Sequence, residues 1–513
     1  MSKTNQTLKT DKKVRTRFAP SPTGNLHLGG LRTALICYLF AKQNNGDFLL
    51  RIEDTDQKRF VEGAEDYIQR SMEWVGISVD ESPWNPNEDI GLYRQSERSE
   101  AGIYDKYIKQ LIDSGDAYYA FDTPEELDAY RAELKENGVK NFAYNRKSRM
   151  NMKNSFTLSE DEVNELLENG TPYVIRFNCP KDEIIEVDDM IRGRVKLQSN
   201  VMDDKVLLKK NGIPTYHMAN IVDDYEMGIT HVIRGEEWLP SVSLHCMLYD
   251  ALGLDRPTFA HLPLILNPNG KGKLSKRSGI TNGFSVFPLT CDVEDKKGNL
   301  VNMLGYDEQG YESDAFVNFL ALLGWTPTND KEILSMDEMI EDFDMNRVSK
   351  AGCRFDIKKL NWFNSQYVNK LSISDVFTSE EVSEWGTEKL EMVLDLAKER
   401  AVFRKDLSTI IDIFLKPIEN YTDVSKFNDE FRNVFSNFDF HLENEGLNFK
   451  EGQPIKDLIY KLTVKEKGYR FGKVMPGLRQ ALTGGVSGPD LMTTMVILGK
   501  DESINRIKNS LLS

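Results

Sequence analysis

The chain has 513 residues, 40% of them hydrophobic and 28% charged, with a formal net charge of −16 at pH 7. A chain of this length is too long for a single hydrophobic core, so we expect about two to four domains. The excess of acidic residues disfavours nonspecific nucleic-acid binding but does not exclude a local basic groove. No stretch approaches the ~20 apolar residues of a membrane span, and five scattered cysteines without a C-x-x-C pair disfavour disulfides and structural zinc and indicate a reducing compartment.

The chain begins with a predicted β-α-β unit after a polar extension. Residues 1–13 lack an apolar core, so we expect a disordered segment rather than a secretory signal. Residues 14–19 alternate as a strand, residues 20–25 form a turn, and helical spacing begins at Leu28. A second strand spans residues 48–52 and ends in a run of acidic residues. Ligands of open α/β sheets bind at such strand ends.

The pattern changes twice along the rest of the chain. Residues 116–204 mix short helices and strands, which predicts an inserted domain, and the parallel-sheet pattern returns at 206–208 and 230–234. Residues 285–313 indicate a long loop or hairpin, and from Ala315 onward the spacing is helical. The sequence therefore predicts an α/β front half and an all-helical back half.

Two segments have the residue types that suit ATP. PSPTGNLHLGG is predicted to deliver His27, Gly29 and Gly30 to a helix N-terminus, where we expect free backbone N–H groups and close approach of a nucleotide. KLSKRSG carries Lys273 and Lys276 on a glycine-flanked loop that could close over phosphates. Donors placed for the charge of a phosphoryl transition state are a large catalytic contribution. A solvated charge cluster is the alternative for the lysines.

Charged residues at the strand ends suit a dicarboxylic amino acid. Arg17, Arg234 and Glu53 would complement two carboxylates and one ammonium, because the planar guanidinium binds carboxylate with two hydrogen bonds. The alternative for the arginines is internal ion pairing. The alternative for Glu53, Asp54 and Asp56 is a metal-binding cluster, and we predict no metal site.

The motif series as a whole resembles a known family. TRFAPSPTGNLHLGG, LLRIEDTDQKR, PTYHMANIVDD, VIRGEEW, KLSKRSG and FDIKKLNWFN, in this order, resemble the motifs of bacterial-type glutamyl-tRNA synthetases over residues 14–510. The His-x-Gly turn alone is shared by other nucleotidyltransferases. The full series is far more specific.

The resemblance implies an α/β Rossmann-type class I catalytic domain with an inserted α+β domain, followed by an all-α anticodon-binding half. By this resemblance the catalytic domain spans 14–115 and 205–262, the insertion that binds the tRNA acceptor end 116–204, the lysine-loop and stem-contact region 263–365, and the helical anticodon-binding region 366–513.

The resemblance also implies roles for individual residues. The glutamate site would comprise Arg17, Ser21, Glu53, Tyr216, Asn220 and Arg234, with Arg17 assigned to the side-chain carboxylate. The ATP site would comprise His27, Gly29, Gly30, Glu237, Leu264 and Lys276, with His27, Lys273 and Lys276 as the catalytic residues. Arg400 would lie near the last anticodon base.

The expected reaction forms glutamyl-adenylate from L-glutamate and ATP with Mg²⁺, then esterifies the 3′-terminal adenosine of tRNA(Glu). Some family members carry zinc-binding cysteines in the insertion, but Tyr119, Phe121 and Asp122 occupy that stretch here, so no zinc is expected. We expect a cytoplasmic monomer with no membrane partner.

Three other functions stay open at the level of sequence. A glutaminyl-tRNA synthetase shares the catalytic core but has a β-barrel anticodon half. A tRNA-modifying paralogue keeps only the catalytic half. A catalytically inactive tRNA-binding protein would not need the intact histidine turn and lysine loop. Whether glutamine tRNA is also charged depends on a few anticodon contacts.

Overall fold

The computed structural model describes residues 12–138, 142–199, 202–275, 278–279, 284–294, 298–447, 449–486 and 490–513. The chain divides into two compact units. The first comprises Met1–Gln309 and Phe316–Ile357, and the second comprises Gly310–Ala315 and Lys358–Ser513. Most of the predicted disordered extension, residues 1–11, lies outside the described part of the chain.

The first unit is built from strands and helices in alternation. Its strands are β1 Arg15–Phe18, β2 Asp47–Leu50, β3 Ala117–Ala120, β4 Val174–Phe177, β5 Ile184–Asp189, β6 Gly193–Gln198, β7 Val206–Leu208, β8 His231–Gly235, β9 Thr258–Leu262, β10 Ile265–Leu266, β11 Cys291–Glu294, β12 Leu300–Met303 and β13 Cys353–Arg354. Its helices include α1 Leu28–Gln43, α2 Ala64–Trp74, α3 Gln95–Glu100, α4 Asp105–Asp113, α5 Pro124–Glu136, α6 Glu160–Glu168, α7 Tyr216–Glu226 and α8 Val242–Ala251, and the helices Ser313–Ala321 and Met336–Asp342 follow.

Parallel strands form the centre of this unit. β1 pairs with β2, and β8 pairs with β9, both in parallel. The amide of Thr230 donates to the carbonyl of Arg15 at 3.0 Å, which links the start of β8 to the start of β1. The Cys37 thiol lies 3.5 Å from the Arg17 carbonyl and 3.6 Å from that of Ile233. The carboxyl ends of β1 and β8 therefore lie side by side.

Helix α1 is buried along most of its length. Its sequence, LGGLRTALICYLFAKQ, is almost continuously apolar, as expected of a helix covered on several sides. It contacts β1, β2 and β8, and Leu28, Leu31, Leu35 and Leu39 are completely buried. Each such side chain contributes about 1.5–3 kcal/mol to stability, so the start of α1 is held firmly against the strand ends.

Two features differ from the sequence-based organisation. The expectation that residues 206–208 belong to the parallel sheet is wrong, because β7 pairs antiparallel with β4 in the sheet β3–β4–β7. A run of three apolar residues is too short to show a periodicity from which the partner strand could be identified. Moreover, β5 and β6, from the predicted insertion, join the sheet β6–β5–β9–β8. The sheet thus extends across the boundary predicted at residue 204. The hairpin predicted within 285–313 is confirmed as β11 and β12.

The second unit is helical. Its helices include Ile373–Val376, Ser379–Trp385, Thr387–Lys398, Arg404–Leu415, Asp429–Phe435, Phe438–Asn444, Gly452–Tyr460, Phe471–Thr483, Leu491–Leu498 and Lys500–Leu512. No strand occurs among the described residues after Arg354. Arg400 is exposed just beyond Thr387–Lys398. None of the helices that the structure describes combines the length and apolar character that a membrane span requires.

Candidate active site

A cavity of about 400 Å³ lies at the carboxyl ends of β1 and β8. Every predicted glutamate- or ATP-site residue that the structure describes lines it, namely Arg17, Ser21, His27, Gly29, Gly30, Glu53, Tyr216, Asn220, Arg234, Glu237, Leu264 and Lys273. Lys276 and the neighbouring Arg277 lie outside the described residues. The fold thus brings the histidine turn, the strand-end charges and Lys273 to one place.

His27 caps α1 with its side chain. Its Nδ1 accepts hydrogen bonds from the amides of Gly29 at 3.0 Å and Gly30 at 3.3 Å. A ring nitrogen that accepts carries no proton, so the neutral imidazole carries its proton on Nε2. The cap therefore fixes both the ring orientation and the tautomer that makes Nε2–H a donor.

The expectation of free amides at the start of α1 is wrong. Besides the two glycine amides, the amide of Leu28 donates to the Val286 carbonyl at 2.9 Å and that of Leu31 donates to the His27 carbonyl at 3.0 Å. All four amides of the first turn thus have protein acceptors. The helix dipole remains, but these four amides are not free donors for a phosphate.

Gly29 and Gly30 are required by packing inside the turn. A Cβ at Gly29 would lie 2.9 Å from Cε1 of His27, and one at Gly30 would lie 2.6 Å from Cδ1 of Leu26. Both distances are shorter than normal contacts between carbon atoms. Gly29 therefore leaves room for the histidine cap and Gly30 for the Leu26 side chain, and the close approach of a nucleotide stays a prediction.

A buried ion-pair network surrounds Arg17 and Glu53. Arg17 donates from Nε and Nη2 to the two carboxylate oxygens of Asp224, at 2.9 and 3.2 Å. Arg51 donates to Asp224 at 2.8 Å and to Oε1 of Glu53 at 3.1 Å, and Asn220 donates to the same oxygen at 2.9 Å. Burial would raise the pKa of Asp224, but the two arginines outweigh it and lower that pKa.

Sequence reasoning gave no role to the residues that hold this network together. Arg51 is completely buried, as is Asp223, which accepts hydrogen bonds from Arg98 at 2.7 Å, Gln95 at 2.8 Å and Tyr104 at 3.2 Å. Burial of charge requires a charged or hydrogen-bonding partner. The available signal was the presence of charged residues inside the apolar segments LLRIED and NIVDD.

Arg234 has a different environment, in which every partner is neutral. Its Nε donates to Nε2 of His261 at 3.1 Å, and its Nη1 donates to the Tyr216 hydroxyl and to Nδ1 of His245, each at 3.2 Å. Its Nη2 lies 3.4 Å from the Trp238 carbonyl. In the described part of the chain no carboxylate forms an ion pair with Arg234. Internal ion pairing therefore applies to Arg17 and not to Arg234.

The histidines beside Arg234 direct their own N–H groups away from it. Nδ1 of His261 lies 2.6 Å from Oδ2 of Asp189, and Nε2 of His245 lies 3.1 Å from Nδ1 of His217. Burial lowers the pKa of His261, although Asp189 opposes this, and holds the pKa of His245 well below its usual range. Burial, with Lys205 and Arg234 adding to it, lowers the pKa of His217 to about 4. These shifts favour the neutral form of all three rings.

Lys273 is paired at the mouth of the cavity. Its Nζ donates to Oε1 of Glu237 at 2.8 Å, and both side chains are about two-fifths exposed, at 44% and 41%. Burial would raise the pKa of Glu237, but the hydrogen bond and charge of Lys273, a backbone hydrogen bond and the charge of Arg32 together outweigh it, so the pKa is lowered. The ammonium group has three N–H donors, so Lys273 can bind a phosphate oxygen while it keeps its bond to Glu237.

The acidic run after β2 does not converge on one point. Asp54 accepts hydrogen bonds from the amide and hydroxyl of Ser96, whereas Asp56 pairs with Arg59 at 2.7 Å and Glu53 faces Arg51. Within the described ranges, no three His, Cys, Asp or Glu side chains are grouped so as to hold a metal ion. The alternative of a metal-binding cluster at these three residues gains no support.

Comparison with known proteins extends over nearly the whole chain. Residues 13–287 and 294–362 match the family model of the class I tRNA synthetase (E and Q) catalytic domain, and residues 367–511 match that of an anticodon binding domain. The predicted fold class, a class I catalytic domain followed by a helical anticodon-binding half, is confirmed. A paralogue with only the catalytic half is contradicted.

The similar proteins agree on one activity. The chain is 47% identical to the glutamate–tRNA ligase of Flavobacterium johnsoniae, over 98% of this chain and 99% of that one, and 46% identical to that of Bacteroides fragilis, with the same coverage. It is 49% identical to a crystal structure of the Elizabethkingia meningosepticum glutamate tRNA ligase in complex with its amino acid, with a TM-score of 0.86 over 98% of this chain and 100% of that one. With such identity along its length, and a helical rather than β-barrel second unit, the chain belongs to the glutamate–tRNA ligases of the class I tRNA synthetase family.

Proposed function

We propose that the enzyme activates L-glutamate with ATP to form glutamyl-adenylate and transfers the glutamyl group to the 3′-terminal adenosine of tRNA(Glu). The observation that carries this proposal is the presence of two complementary charges in one cavity. Arg234 has only neutral partners among the described residues, and Glu53 presents a buried carboxylate. Together they match a carboxylate and an ammonium.

The charges suggest how glutamate is oriented. Arg234 and the Tyr216 hydroxyl bind the side-chain carboxylate, and Glu53, held by Asn220, binds the ammonium through its second oxygen. Arg17 was the sequence-based choice for the side-chain carboxylate, but Asp224 already offsets its charge. We therefore propose that Arg17, beside Ser21, binds glutamate only by a hydrogen bond from Nη1. Arg234 then provides the positive charge that recognises the side-chain carboxylate.

The remaining lining residues suit ATP. His27 donates from Nε2–H to the α-phosphate, while Lys273, and Lys276 by its motif, bind the departing pyrophosphate. Gly29, Gly30, Glu237 and Leu264 border the nucleotide. An oxygen of the glutamate α-carboxylate attacks the α-phosphorus as the bond to pyrophosphate breaks, so no general base is needed. Mg²⁺ enters with the phosphates as part of the substrate.

The tRNA is assigned to the remaining regions. Residues 116–204 hold the acceptor end, residues 263–365 contact the stem, and residues 366–513 bind the anticodon, with Arg400 near its last base. The motif order and the match of residues 367–511 to an anticodon binding domain support this assignment. We propose that the enzyme acts as a cytoplasmic monomer.

Aminoacylation by the purified full-length chain tests the function. With labelled glutamate, ATP, Mg²⁺ and tRNA(Glu), we expect labelled glutamyl-tRNA, and we expect glutamate-dependent pyrophosphate exchange when tRNA is present. Binding of tRNA without either product would identify an inactive tRNA-binding protein and refute the proposal. A parallel reaction with tRNA(Gln) determines whether that tRNA is charged as well.

The fall in activity at acid pH is expected to reflect the protonation of Glu53. Burial raises the pKa of its carboxyl and outweighs the attraction of Arg51 and Arg17. Because the ionised form binds the ammonium, kcat/KM for glutamate should fall as the pH drops through this raised pKa. The loss should begin above the ordinary glutamate pKa of about 4.3. Initial rates of tRNA-dependent pyrophosphate exchange against pH measure it.

The matched variant is Glu53→Gln, which keeps the shape and cannot ionise. This variant should have a lower kcat/KM at neutral pH. Its kcat/KM should no longer fall with the protonation of residue 53, so that any remaining fall at acid pH reflects protonation of the substrate. An identical acid limb in both proteins would show that Glu53 does not bind the ammonium.

A further inference from the structure

Arg234 is held by hydrogen bonds that leave its charge in place. It donates to His261, His245 and Tyr216, and its Nη2 lies near the Trp238 carbonyl. It is only 5% exposed, so bulk water does little to solvate the charge. A neutral acceptor orients a guanidinium without cancelling its charge, whereas a carboxylate in the same place would do both.

Arg17 and Arg51, the two arginines beside Glu53, contrast with it. Arg17 shares Asp224 with Arg51, and Arg51 also contacts Glu53. Each of these guanidinium groups is thus offset by a carboxylate within hydrogen-bonding distance. Arg234 is the cavity-lining arginine whose side-chain partners are imidazoles and a phenol.

The hydrogen-bond directions require both imidazoles to be neutral. Arg234 can only donate, so Nδ1 of His245 and Nε2 of His261 must each offer a lone pair. The opposite nitrogens then donate outward, to Nδ1 of His217 and to Oδ2 of Asp189. The charge of Asp189 is thereby kept one imidazole ring away from Arg234.

We propose that His245 and His261 are positioning residues that set the preference for a carboxylate side chain over an amide, by fixing Arg234 without neutralising it. The inference rests on the proposed function, in which Arg234 binds the side-chain carboxylate of glutamate. Glutamate would supply the missing negative charge. Glutamine would leave a buried guanidinium without an anion, which is strongly unfavourable.

Replacing His245 with either aspartate or asparagine tests the proposal. His245→Asp places a carboxylate against Arg234, and we expect the ratio of kcat/KM for glutamate to that for glutamine to fall about 30-fold or more. The loss should lie in the KM for glutamate, with the KM for ATP little changed. His245→Asn offers a neutral acceptor and should keep the ratio within a few-fold of wild type. Both are measured by tRNA-dependent pyrophosphate exchange.

His217→Asn is the matched control, because His217 contacts His245 and does not contact Arg234. The ratio of kcat/KM for glutamate to that for glutamine in this variant should match that of the wild-type enzyme. An unchanged ratio in His245→Asp, or an equal loss in His245→Asn, would overturn the proposal. If the wild-type enzyme fails to activate glutamate, the proposed function fails instead, so the two failures are distinguishable.

A measurement on the wild-type enzyme covers the case in which His245→Asp does not fold. The chain has six histidines, so ¹⁵N-histidine labelling gives a tractable set of imidazole signals, assigned with His245→Asn and His217→Asn. We expect His245 to be neutral with its proton on Nε2, and His261 to be neutral with its proton on Nδ1. A protonated imidazole at either position near neutral pH would refute the proposal.

Discussion

Replacing Arg234 with glutamine is expected to lower kcat/KM for glutamate by about three orders of magnitude, which corresponds to ~4 kcal/mol. Removing one member of a desolvated charge pair costs about 2–5 kcal/mol, and Arg234 is a buried cation whose partners within the described structure are all neutral. The use of glutamine should be far less affected, because its amide carries no charge. Pyrophosphate exchange with both amino acids measures the effect.

Arg234→Gln should lower the stability of the protein only slightly. The partners of Arg234 are neutral, so its removal strands no carboxylate, and the loss of hydrogen bonds should cost about 1–3 kcal/mol. Arg70→Gln is the control, since Arg70 lies on α2 with 55% of its side chain exposed, outside the cavity and the regions assigned to tRNA, and it should behave as wild type. An equal loss with glutamate and glutamine, or thermal unfolding at assay temperature, would contradict this role for Arg234.

The second large effect is expected for His27→Asn, which should lower kcat by about 10²- to 10³-fold, the range found when a single transition-state donor is removed. Asparagine is a good N-cap residue, so it can accept from the Gly29 and Gly30 amides as His27 does. It does not reproduce the donor at Nε2. Single-turnover formation of glutamyl-adenylate, together with a thermal melt, separates the chemical effect from the structural one.

His27→Ala completes this comparison. It should lose as much rate as His27→Asn and, in addition, about 1 kcal/mol of stability through the lost cap. If His27→Asn retained the wild-type rate while His27→Ala did not, the histidine would be a helix cap without a catalytic role.

Local motifs were readable from the sequence because their chemistry is local. The turn around His27, the strand preceding Glu53 and the strand ending at Arg234 could be placed by periodicity and turn residues. Their convergence on one cavity followed from the general rule for open parallel sheets. The use of the Leu28 amide by the Val286 carbonyl could not be predicted, because Val286 lies far away in the chain.

The partners of the charged residues were not predictable for the same reason. Arg51 and Asp224 are 173 residues apart, and no spacing rule links positions at such separation. The neutral side-chain acceptors of Arg234 come from α7, α8 and β9, so the different environments of Arg17 and Arg234 became visible only with side-chain contacts. Likewise, the position of β5 in the catalytic sheet rests on pairing with β9 that its own sequence does not encode.

The buried network of Arg17, Arg51 and Asp224 has a consequence for how such enzymes can change over time. Loss of Asp224 leaves Arg17 without its carboxylate partner inside the protein, at a cost of about 3–5 kcal/mol, a large share of the 5–15 kcal/mol by which a domain is stable. Because Asp224 serves two arginines at once, no single substitution converts the network into an apolar core of equal stability. A lineage that loses Asp224 is therefore expected to have replaced Arg17 as well.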